Sequence, residues 1–505
     1  MTSRPVLDPA VPASTRLPGT DARLMAVLVL AAGIVMILWA QLGDELIPVE
    51  DGQGFDGLAY ADITRDPGQI LDDRLDAHRI QRVVPSLIAY VALRPLGLHT
   101  STSAIIVCFQ LLNLVFMIVC CYLWFSTARK LRLSRVAAWI GFTALFVNYA
   151  LLKLVYFYPV LTDTAGLLLG LTLLWSYLYR RYAVVFCVSV VAAFTWPTVF
   201  YSGLLLFALS RPARVSVSHR RRGQLFAFLI ALAVATSATL VYKCGTDCVY
   251  PVMLNATMKP LLPLSLVALS VWVFLATRPL AEQLEPRQLL ACVHWPRLVV
   301  AAIVFVAINY VQARLVAPGG PTLSRTLANT SLGGATKPLI LVVAHTIFYG
   351  PAVMLIVLRW RRIVAAMSWQ GPAFVLLMLV YVVLGISAES RILMNMWPFF
   401  AAFAAVAAHQ LRWHRSQAWA FAGLSLLASR VWFPLYHGEF VQRHGRYPNQ
   451  YYGMSVGTRM TVTSYLIMAG VTVICAVAVW WLVRSSPQRE PAAAGTSAPV
   501  RRSSG

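Results

Sequence analysis

Long apolar stretches recur along the whole chain, and they constrain its fold more than any other feature. The first, residues 24–42, is long enough to cross about 30 Å of hydrocarbon as a helix. Apolar residues make up 59% of the 505 residues and charged residues 12%, whereas about a quarter of a soluble protein is charged. Further apolar runs are centred on 102–125, 136–152, 163–179, 182–196, 198–210, 224–242, 260–276, 298–316, 338–358, 372–388, 392–409, 417–432 and 464–483. The pattern predicts an all-α polytopic membrane protein with about 14 transmembrane helices (12–14 fit the pattern), and it excludes a soluble enzyme, a secreted disulfide scaffold and a disordered regulator.

The basic residues predict how these helices are oriented. The chain has 42 Lys and Arg against 19 Asp and Glu, a net charge of +23, and the basic clusters lie between alternate apolar runs. Because basic residues collect in cytoplasmic loops, we expect the N-terminal segment 1–22 and the tail 485–505 to be cytoplasmic. They flank a transmembrane domain over 23–484 in the plasma (inner) membrane. This bias accounts for the charge, so no nucleic-acid partner is expected. The tail is rich in Ser, Pro, Ala and Arg and is predicted to be disordered.

Two apolar segments are interrupted. The run 84–98 contains Arg94 and Pro95, and crossing the membrane there would place the next basic cluster outside. It is therefore predicted to lie on the outer face as an interfacial helix. Pro197 divides the segment 182–210, which is either two short spans or one broken helix.

Two of the eight cysteines share a predicted outer loop. Cys244 and Cys248 are four residues apart, and an oxidising compartment would allow them to form a disulfide. A structural disulfide and two free thiols remain equally open. A metal site is disfavoured because only two ligands are present.

Acidic residues are concentrated in the first outer loop, residues 43–101. Ten of the 19 acids fall within 43–83, and solvation of a translocated loop is sufficient reason for most of them. Asp51 and Asp56 are stronger candidates for chemistry, because glycines and aromatic residues surround them directly after a span. Glycine lets the backbone approach a ligand closely. A carboxylate at a partly desolvated interface has a raised proton affinity and can act as a general base.

Other charged residues fall at predicted outer turns. Arg79 and Arg82 are three residues apart, so on a helix they project from one face and suit the phosphate of a lipid. Snorkelling to lipid headgroups explains either arginine equally well. Asp163 opens an apolar run, where stabilising the helix N-terminus is the simpler role. Arg391 follows Glu389 between two runs, either as a functional charge or as half of a local ion pair.

The last outer loop, residues 434–463, mixes aromatic, amide and charged residues. Aromatic rings and polar groups suit the binding of sugars. We therefore predict that a sugar-containing acceptor molecule binds to Glu439, Tyr451 and Tyr452, together with Tyr60 in the first loop. An interfacial aromatic belt explains the tyrosines equally well.

The first outer loop resembles that of a known family. The segment Phe55-Asp-Gly-Leu-Ala-Tyr-Ala-Asp-Ile-Thr-Arg-Asp-Pro67, followed by Arg79-Ile-Gln-Arg-Val-Val-Pro85, is similar to the first outer loop of the GT-C superfamily. These integral-membrane glycosyltransferases use polyprenyl-phosphate sugars. The order of a first span, an acidic outer loop with interfacial helices and many later spans is similar too. The likeness covers most of the transmembrane domain in outline, and its motifs are concentrated in residues 51–85.

The resemblance implies an inverting sugar transfer on the outer face of the membrane. A loop carboxylate, best matched by Asp56 and next by Asp51, would deprotonate an acceptor hydroxyl while positive charge stabilises the leaving lipid phosphate. The residues that match the donor site are Arg79, Arg82, Arg391 and Asp163. The implied partners are a polyprenyl-phosphate-linked sugar donor, a glycan or lipid-linked acceptor, and membrane lipid. No cofactor is certain, although the acidic loop could hold Mg²⁺ or Ca²⁺, and no residue is assigned as a metal ligand.

Two other functions remain open. A transporter or flippase of a lipid-linked or anionic envelope precursor would carry ionisable groups near the bilayer midplane. Lys153 and His345 are the nearest candidates, although both can be placed towards span ends. A non-catalytic partner in cell-envelope assembly is the other alternative.

Overall fold

The structure is a computed structural model that describes residues 18–43, 45–47, 49–71, 75–211, 220–316, 323–433 and 457–486, and every regular element in these ranges is a helix. The first helices are α1 (Gly19–Leu42), α2 (Phe55–Arg65), α3 (Ala77–Ile80), α4 (Val84–Leu93), α5 (Thr102–Lys130), α6 (Arg135–Phe146), α7 (Val155–Phe157), α8 (Asp163–Leu178), α9 (Tyr182–Ala192), α10 (Pro197–Ala208) and α11 (Arg220–Cys244). They are followed by α12 (Pro251–Ala256), α13 (Leu262–Ala281), α14 (Pro286–Ala291), α15 (Trp295–Leu315), α16 (Leu323–Gly333), α17 (Ile340–Tyr349), α18 (Ala352–Ser368), α19 (Pro372–Leu384), α20 (Trp397–Gln410), α21 (Arg415–Ser429) and α22 (Val462–Arg484). The predicted all-α membrane architecture is confirmed.

Several predictions fall on parts of the chain outside the described residues. These are the acceptor candidates Glu439, Tyr451 and Tyr452, most of the N-terminal segment 1–22, and the predicted disordered tail from residue 487 onward. The first outer loop, by contrast, is largely described. It contains the short helices α2, α3 and α4, so the predicted helices of this loop are present.

The number of full-length spans is lower than the number of apolar runs. Among the described residues, six helices are long and apolar enough to cross a membrane, and counting each of two bent helix pairs as one span gives eight. Several other apolar helices are only 10–17 residues long. At 1.5 Å per residue, a helix of 12 residues spans about 18 Å, well short of about 30 Å of hydrocarbon. The structure therefore shows a polytopic membrane protein with six to eight candidate spans, and about 14 spans stays a prediction.

The run 338–358, predicted as one span, is instead two helices bent by 116°. Gly350 has a left-handed φ of +77° and is followed by Pro351, which has no amide hydrogen, so α17 ends and α18 begins in a new direction. The helix then continues past residue 358. As a consequence, the basic cluster 359–362 lies inside α18 and not, as predicted, in the loop after a span.

The segment 182–210 forms two short helices rather than one broken helix. Pro197 begins α10, and α9 and α10 pack along each other as a hairpin. The hydroxyl of Tyr182 donates a 3.0 Å hydrogen bond to the carbonyl of Ser210, which joins the open end of the hairpin. The tip of the hairpin, residues 193–196, contacts the first outer loop.

The ends of the helices separate into two groups, as the alternation of basic and polar loops predicts. We call the end that gathers the basic clusters the basic end, and the opposite end the loop end. Contacts at the basic end are Arg135–Asp21 (2.8 Å), Tyr177–Gln370 (3.1 Å), Arg211–Cys292 (3.0 Å) and Gln417–Leu482 (3.2 Å). Contacts at the loop end are Ile47–Phe157 (2.9 Å), Val84–Phe194 (3.1 Å), Met258–Thr336 (2.9 Å) and Gly457–Ala388 (2.9 Å).

Cys244, the last residue of α11, forms a disulfide with Cys248. The structural alternative for these two residues is therefore confirmed. The bond lies at the loop end, since α11 begins near the basic end, where Gly223 packs against Glu282.

Candidate active site around Arg391

Arg391 lies at the loop end, in a turn of 3-10 helix (Ser390–Leu393) between α19 and α20. Its Nη2 is 3.3 Å from Oδ2 of Asp56, and its Nε is 3.2 Å from Oδ1 of Asp163. The two carboxylates are 335 and 228 positions away in sequence, so the fold alone brings them to one guanidinium. We call Asp56, Asp163 and Arg391 the charge cluster. The side chain of Asp56 is 41% exposed, whereas Arg391 is 13% and Asp163 2% exposed, so Asp56 is the member of the cluster that a substrate could reach.

The glycine-rich turn before α2 positions Asp56. Gly52 and Gly54 have left-handed φ values of +90° and +79°, which favour glycine. A Cβ atom on Gly54 would lie 2.0 Å from the ring of Tyr158, so glycine is needed for the turn to contact that ring. The amide of Asp56 donates a 2.9 Å hydrogen bond to the hydroxyl of Tyr158. The glycines therefore bring the start of α2 against Tyr158.

A second polar network holds Asp163 in place at the start of α8. The amide of Asn113, on α5, donates hydrogen bonds to the carbonyls of Val155 (2.9 Å) and Pro159 (3.1 Å), and its oxygen accepts one from the hydroxyl of Thr164. Asp163 lies in the first turn of α8, where the helix dipole favours negative charge. Because its carboxylate is buried and paired with Arg391, Asp163 is placed to orient Arg391. A phosphate in direct contact with this carboxylate would be repelled.

Side chains of α17 hold the turn that carries Arg391 in place. The hydroxyl of Tyr349 donates a 2.9 Å hydrogen bond to the carbonyl of Ser390. His345 Nε2 is 2.8 Å from the carbonyl of Gly385, and Nδ1 is 2.9 Å from the hydroxyl of Ser390. Because a carbonyl can only accept, Nε2 carries the hydrogen and Nδ1 accepts from Ser390. His345, a candidate for transport chemistry by sequence, thus has both ring nitrogens engaged in supporting this turn.

Arg82 contributes a second guanidinium near the charge cluster. It lies 4.5 Å above the ring of Trp196, whose indole nitrogen donates a 2.8 Å hydrogen bond to Oδ1 of Asn395. Thr198 donates to the same oxygen at 3.0 Å. The Nε of Arg82 and the Nδ2 of Asn395 are buried and have no hydrogen-bond partner within the part of the chain that the structure describes. Both are hydrogen-bond donors, the kind of group that an anionic ligand would satisfy.

Electrostatics keep the charge cluster ionised. Burial acts to raise the pKa of Asp56, but the positive charges of Arg391, His78 and Arg82 outweigh it and hold the pKa below its ordinary value of 3.8. Burial acts to lower the pKa of Arg391, but the carboxylates of Asp163 and Asp56 hold it well above its ordinary value. At neutral pH Asp56 is therefore a carboxylate of low basicity, neutralised in part by an arginine that stays charged.

The remaining sequence-predicted residues occupy different environments. Arg79 pairs with Asp76 at 3.7 Å and, within the described ranges, forms no ion pair with the charge cluster, so only Arg82 of the predicted pair lies near it. Asp51 is exposed, in the turn before α2 with a left-handed φ of +51°. Tyr60, a residue of α2, is fully buried, and a contact with an acceptor stays a prediction. Burial raises its pKa above 10.0, with Arg82 acting in the opposite direction, so the hydroxyl stays protonated.

Two residues of the site, Tyr158 and Asn395, were not predicted from the sequence. Tyr158 precedes Asp163 by five positions, and only its place in an aromatic segment before a charged helix start hinted at a role. Asn395 lies four residues after Arg391 on the way into α20, and a buried amide in an apolar run is its only signal.

Within the described ranges, no group of three or more His, Cys, Asp or Glu side chains could hold a metal ion, and binding of Mg²⁺ or Ca²⁺ stays a prediction. Comparison with known proteins gave no match: no protein-family model matches the chain, and neither a curated protein nor a solved structure is significantly similar to it.

Proposed function

We propose that the protein is a membrane glycosyltransferase that moves a sugar from a polyprenyl-phosphate carrier to an acceptor hydroxyl, with inversion and with Asp56 as general base. The observation that carries the proposal is the charge cluster, in which a partly exposed carboxylate lies 3.3 Å from a nearly buried guanidinium. Transfer of a sugar from a lipid phosphate needs a base for the hydroxyl and positive charge for the departing phosphate. The resemblance of residues 51–85 to the GT-C superfamily supports the same assignment.

In the proposed reaction, the acceptor oxygen attacks the anomeric carbon from the face opposite the phosphate. The bond from that carbon to the phosphate oxygen breaks, and its electron pair stays on the phosphate. Asp56 takes the proton of the acceptor hydroxyl. Arg391 and Arg82 bind the phosphate and stabilise the charge that it gains.

The same geometry links donor binding to activation of the base. In the free protein Arg391 is the strongest of the charges that lower the pKa of Asp56. A bound phosphate attracts this guanidinium and partly neutralises it, which weakens its effect on Asp56 and raises the proton affinity of the carboxylate. Asp163, buried on the other side of Arg391, keeps the guanidinium in place during this change. Asp56 thus becomes a stronger base when the donor is present.

We further propose that the loop end faces the periplasm or the cell exterior, and that both termini are cytoplasmic in the plasma membrane. Two observations support this orientation. The basic clusters gather at one end of the bundle, as expected of a cytoplasmic face. The disulfide Cys244–Cys248 lies at the other end, and disulfides persist in oxidising compartments.

A donor-binding experiment tests the proposal. Purified protein is heated in the presence of a panel of polyprenyl-phosphate sugars, and a donor that binds the native state raises the Tm in a concentration-dependent way. We expect one donor to do so, the Arg82→Gln variant to lose the shift, and the matched variant Arg94→Gln, in the same loop but next to Tyr90, to retain it. Absence of a shift with every donor, or an equal shift in both variants, would contradict the proposal.

A further inference from the structure

A cavity, which we call the α18 cavity, lies next to the turn that carries Arg391. It has a volume of about 550 Å³ and is formed by α13, α17, α18, α19 and α20. This volume is within the range of ligand sites, about 300–1,000 Å³. Its walls are largely apolar and aromatic, including Trp272, Ile356, Tyr381 and Trp397. Leu275 and Val357 at its rim are exposed on the surface of the bundle, so the cavity opens sideways.

Three arginines of α18 line the same cavity: Arg359, Arg361 and Arg362. They lie about 10–15 Å along the helix from its start at Ala352, at 1.5 Å per residue, and so inside an apolar helix rather than at its end. Among the described residues they form no ion pair with an acidic side chain. The Nε and Nη2 atoms of Arg359 are buried and have no hydrogen-bond partner there. The cavity thus combines apolar walls with the partly buried guanidinium of Arg359, which has unpaired atoms within the described ranges, and with the exposed side chains of Arg361 and Arg362 beside it.

Charged side chains within membrane-spanning helices are costly unless they are paired, and they are candidates for functional sites. The molecule that satisfies both parts of this cavity is an amphiphile with an anionic head for the arginines and a hydrocarbon chain for the apolar walls. Basic pockets between transmembrane helices bind anionic lipid headgroups in this way. Guanidinium groups also match phosphate oxygens through paired hydrogen bonds.

We infer that this cavity binds an anionic diacyl phospholipid, with its phosphate on Arg359, Arg361 and Arg362 and one acyl chain inside the cavity. The second chain lies along the exposed rim at Val357 and Leu358. In the proposed reaction the carrier lipid binds with its phosphate at Arg391 and Arg82, so only its isoprenoid chain could enter this cavity and the three arginines would stay unpaired. The exclusion of the carrier lipid therefore rests on the proposed function, whereas the cavity and its arginines do not.

The acyl chain would also support the turn that carries Arg391. His345 and Tyr349 line the cavity and are the residues that hold Ser390. A filled cavity packs against both side chains, and an empty cavity lacks those contacts. Binding of the phospholipid therefore raises the stability of this part of the bundle.

The test measures lipid binding to the full chain, purified in a neutral detergent, by native mass spectrometry. The probes are dioleoyl phosphatidylglycerol, which is anionic, dioleoyl phosphatidylcholine, which has the same chains and no net charge, and a polyprenyl phosphate. The variant Arg359→Gln/Arg362→Gln removes two of the charges. Val353→Phe narrows the cavity and keeps all three charges, so the test does not depend on the folding of the arginine variant. The matched control, Arg129→Gln/Arg132→Gln, removes two arginines that do not line the cavity.

We expect phosphatidylglycerol to bind the wild-type protein and the control at least about tenfold more tightly than phosphatidylcholine, and both cavity variants to lose about tenfold or more in affinity. A Tm that rises with added phosphatidylglycerol in the wild-type protein and not in Val353→Phe is expected as well. Equal affinity for the two phospholipids, or unchanged affinity in both cavity variants, would overturn the inference. Displacement of phosphatidylglycerol by the polyprenyl phosphate would also overturn it, because the cavity would then belong to the carrier lipid.

Discussion

Asp163 and Asp56 contact the same arginine, yet the structure predicts opposite consequences of removing their charges. Asp163 is 2% exposed, and its partner Arg391 is 13% exposed. Breaking a buried ion pair by removing one partner costs about 3–5 kcal/mol. Since Arg391 keeps Asp56 as a second partner, we expect Asp163→Asn to lower the free energy of unfolding by about 3 kcal/mol, the lower end of that range. Asp56 is 41% exposed, so Asp56→Asn should cost no more than about 1 kcal/mol.

Chemical denaturation in mixed micelles, followed by tryptophan fluorescence and circular dichroism, measures the free energy of unfolding of both variants on the same scale. Asp66→Asn, an exposed acid of the same loop, serves as the control for removing a charge. The expected order of stability is wild type, Asp56→Asn and then Asp163→Asn. Equal losses for the two cluster variants would refute the view that Asp163 is the buried group that positions Arg391 and Asp56 the accessible one.

Three further predictions concern the turn, the charge and the orientation. Gly54→Ala should destabilise the protein more than Gly97→Ala. A Cβ atom at position 54 would clash with Tyr158, and the backbone there (φ +79°, ψ 176°) is one that almost only glycine adopts, whereas Gly97 has open space at its Cβ position and an αL conformation that costs alanine about 1–2 kcal/mol. Equal unfolding midpoints would contradict this prediction. Arg391→Gln should raise the pKa of Asp56, which lies below 3.8 in the wild-type protein. In infrared titrations the carboxylate of the variant should therefore take up its proton at a higher pH. An unchanged titration would show that Arg391 does not set this pKa. In intact cells, a membrane-impermeant maleimide should label Cys244 from outside only after reduction of its disulfide, and labelling without a reductant would contradict the bond.

The charged residues at predicted outer turns were the most informative part of the sequence. Asp163 and Arg391 stand out because charge is rare outside the basic loops and the first outer loop, and Asp56 stands out because glycines and aromatic residues surround it. The predicted topology then places all three at one end of the bundle. Their convergence on one guanidinium depends on tertiary packing. The apolar pattern leaves open which of many spans are neighbours.

What escaped prediction depends on side-chain partners that no local pattern specifies. Tyr158 accepts a hydrogen bond from the amide of Asp56, a contact across 102 positions. The Gly350-Pro351 pair indicates a break in the helix, but hydropathy alone predicts the surrounding run to be one span. Because of that break the arginines at 359–362 lie within a helix, and the α18 cavity has guanidinium groups as well as apolar walls.

The most direct test of the central claim is the rate of sugar transfer by Asp56→Asn. With a polyprenyl-phosphate donor that stabilises the wild-type protein, we expect this variant to bind the donor and to transfer sugar about 10²–10⁴-fold more slowly, the contribution of a general base. Asp51→Asn, which changes an exposed carboxylate of the same loop, should transfer at the wild-type rate. A wild-type transfer rate in Asp56→Asn would contradict the claim that Asp56 is the base, and wild-type rates in both variants would place the base outside this loop.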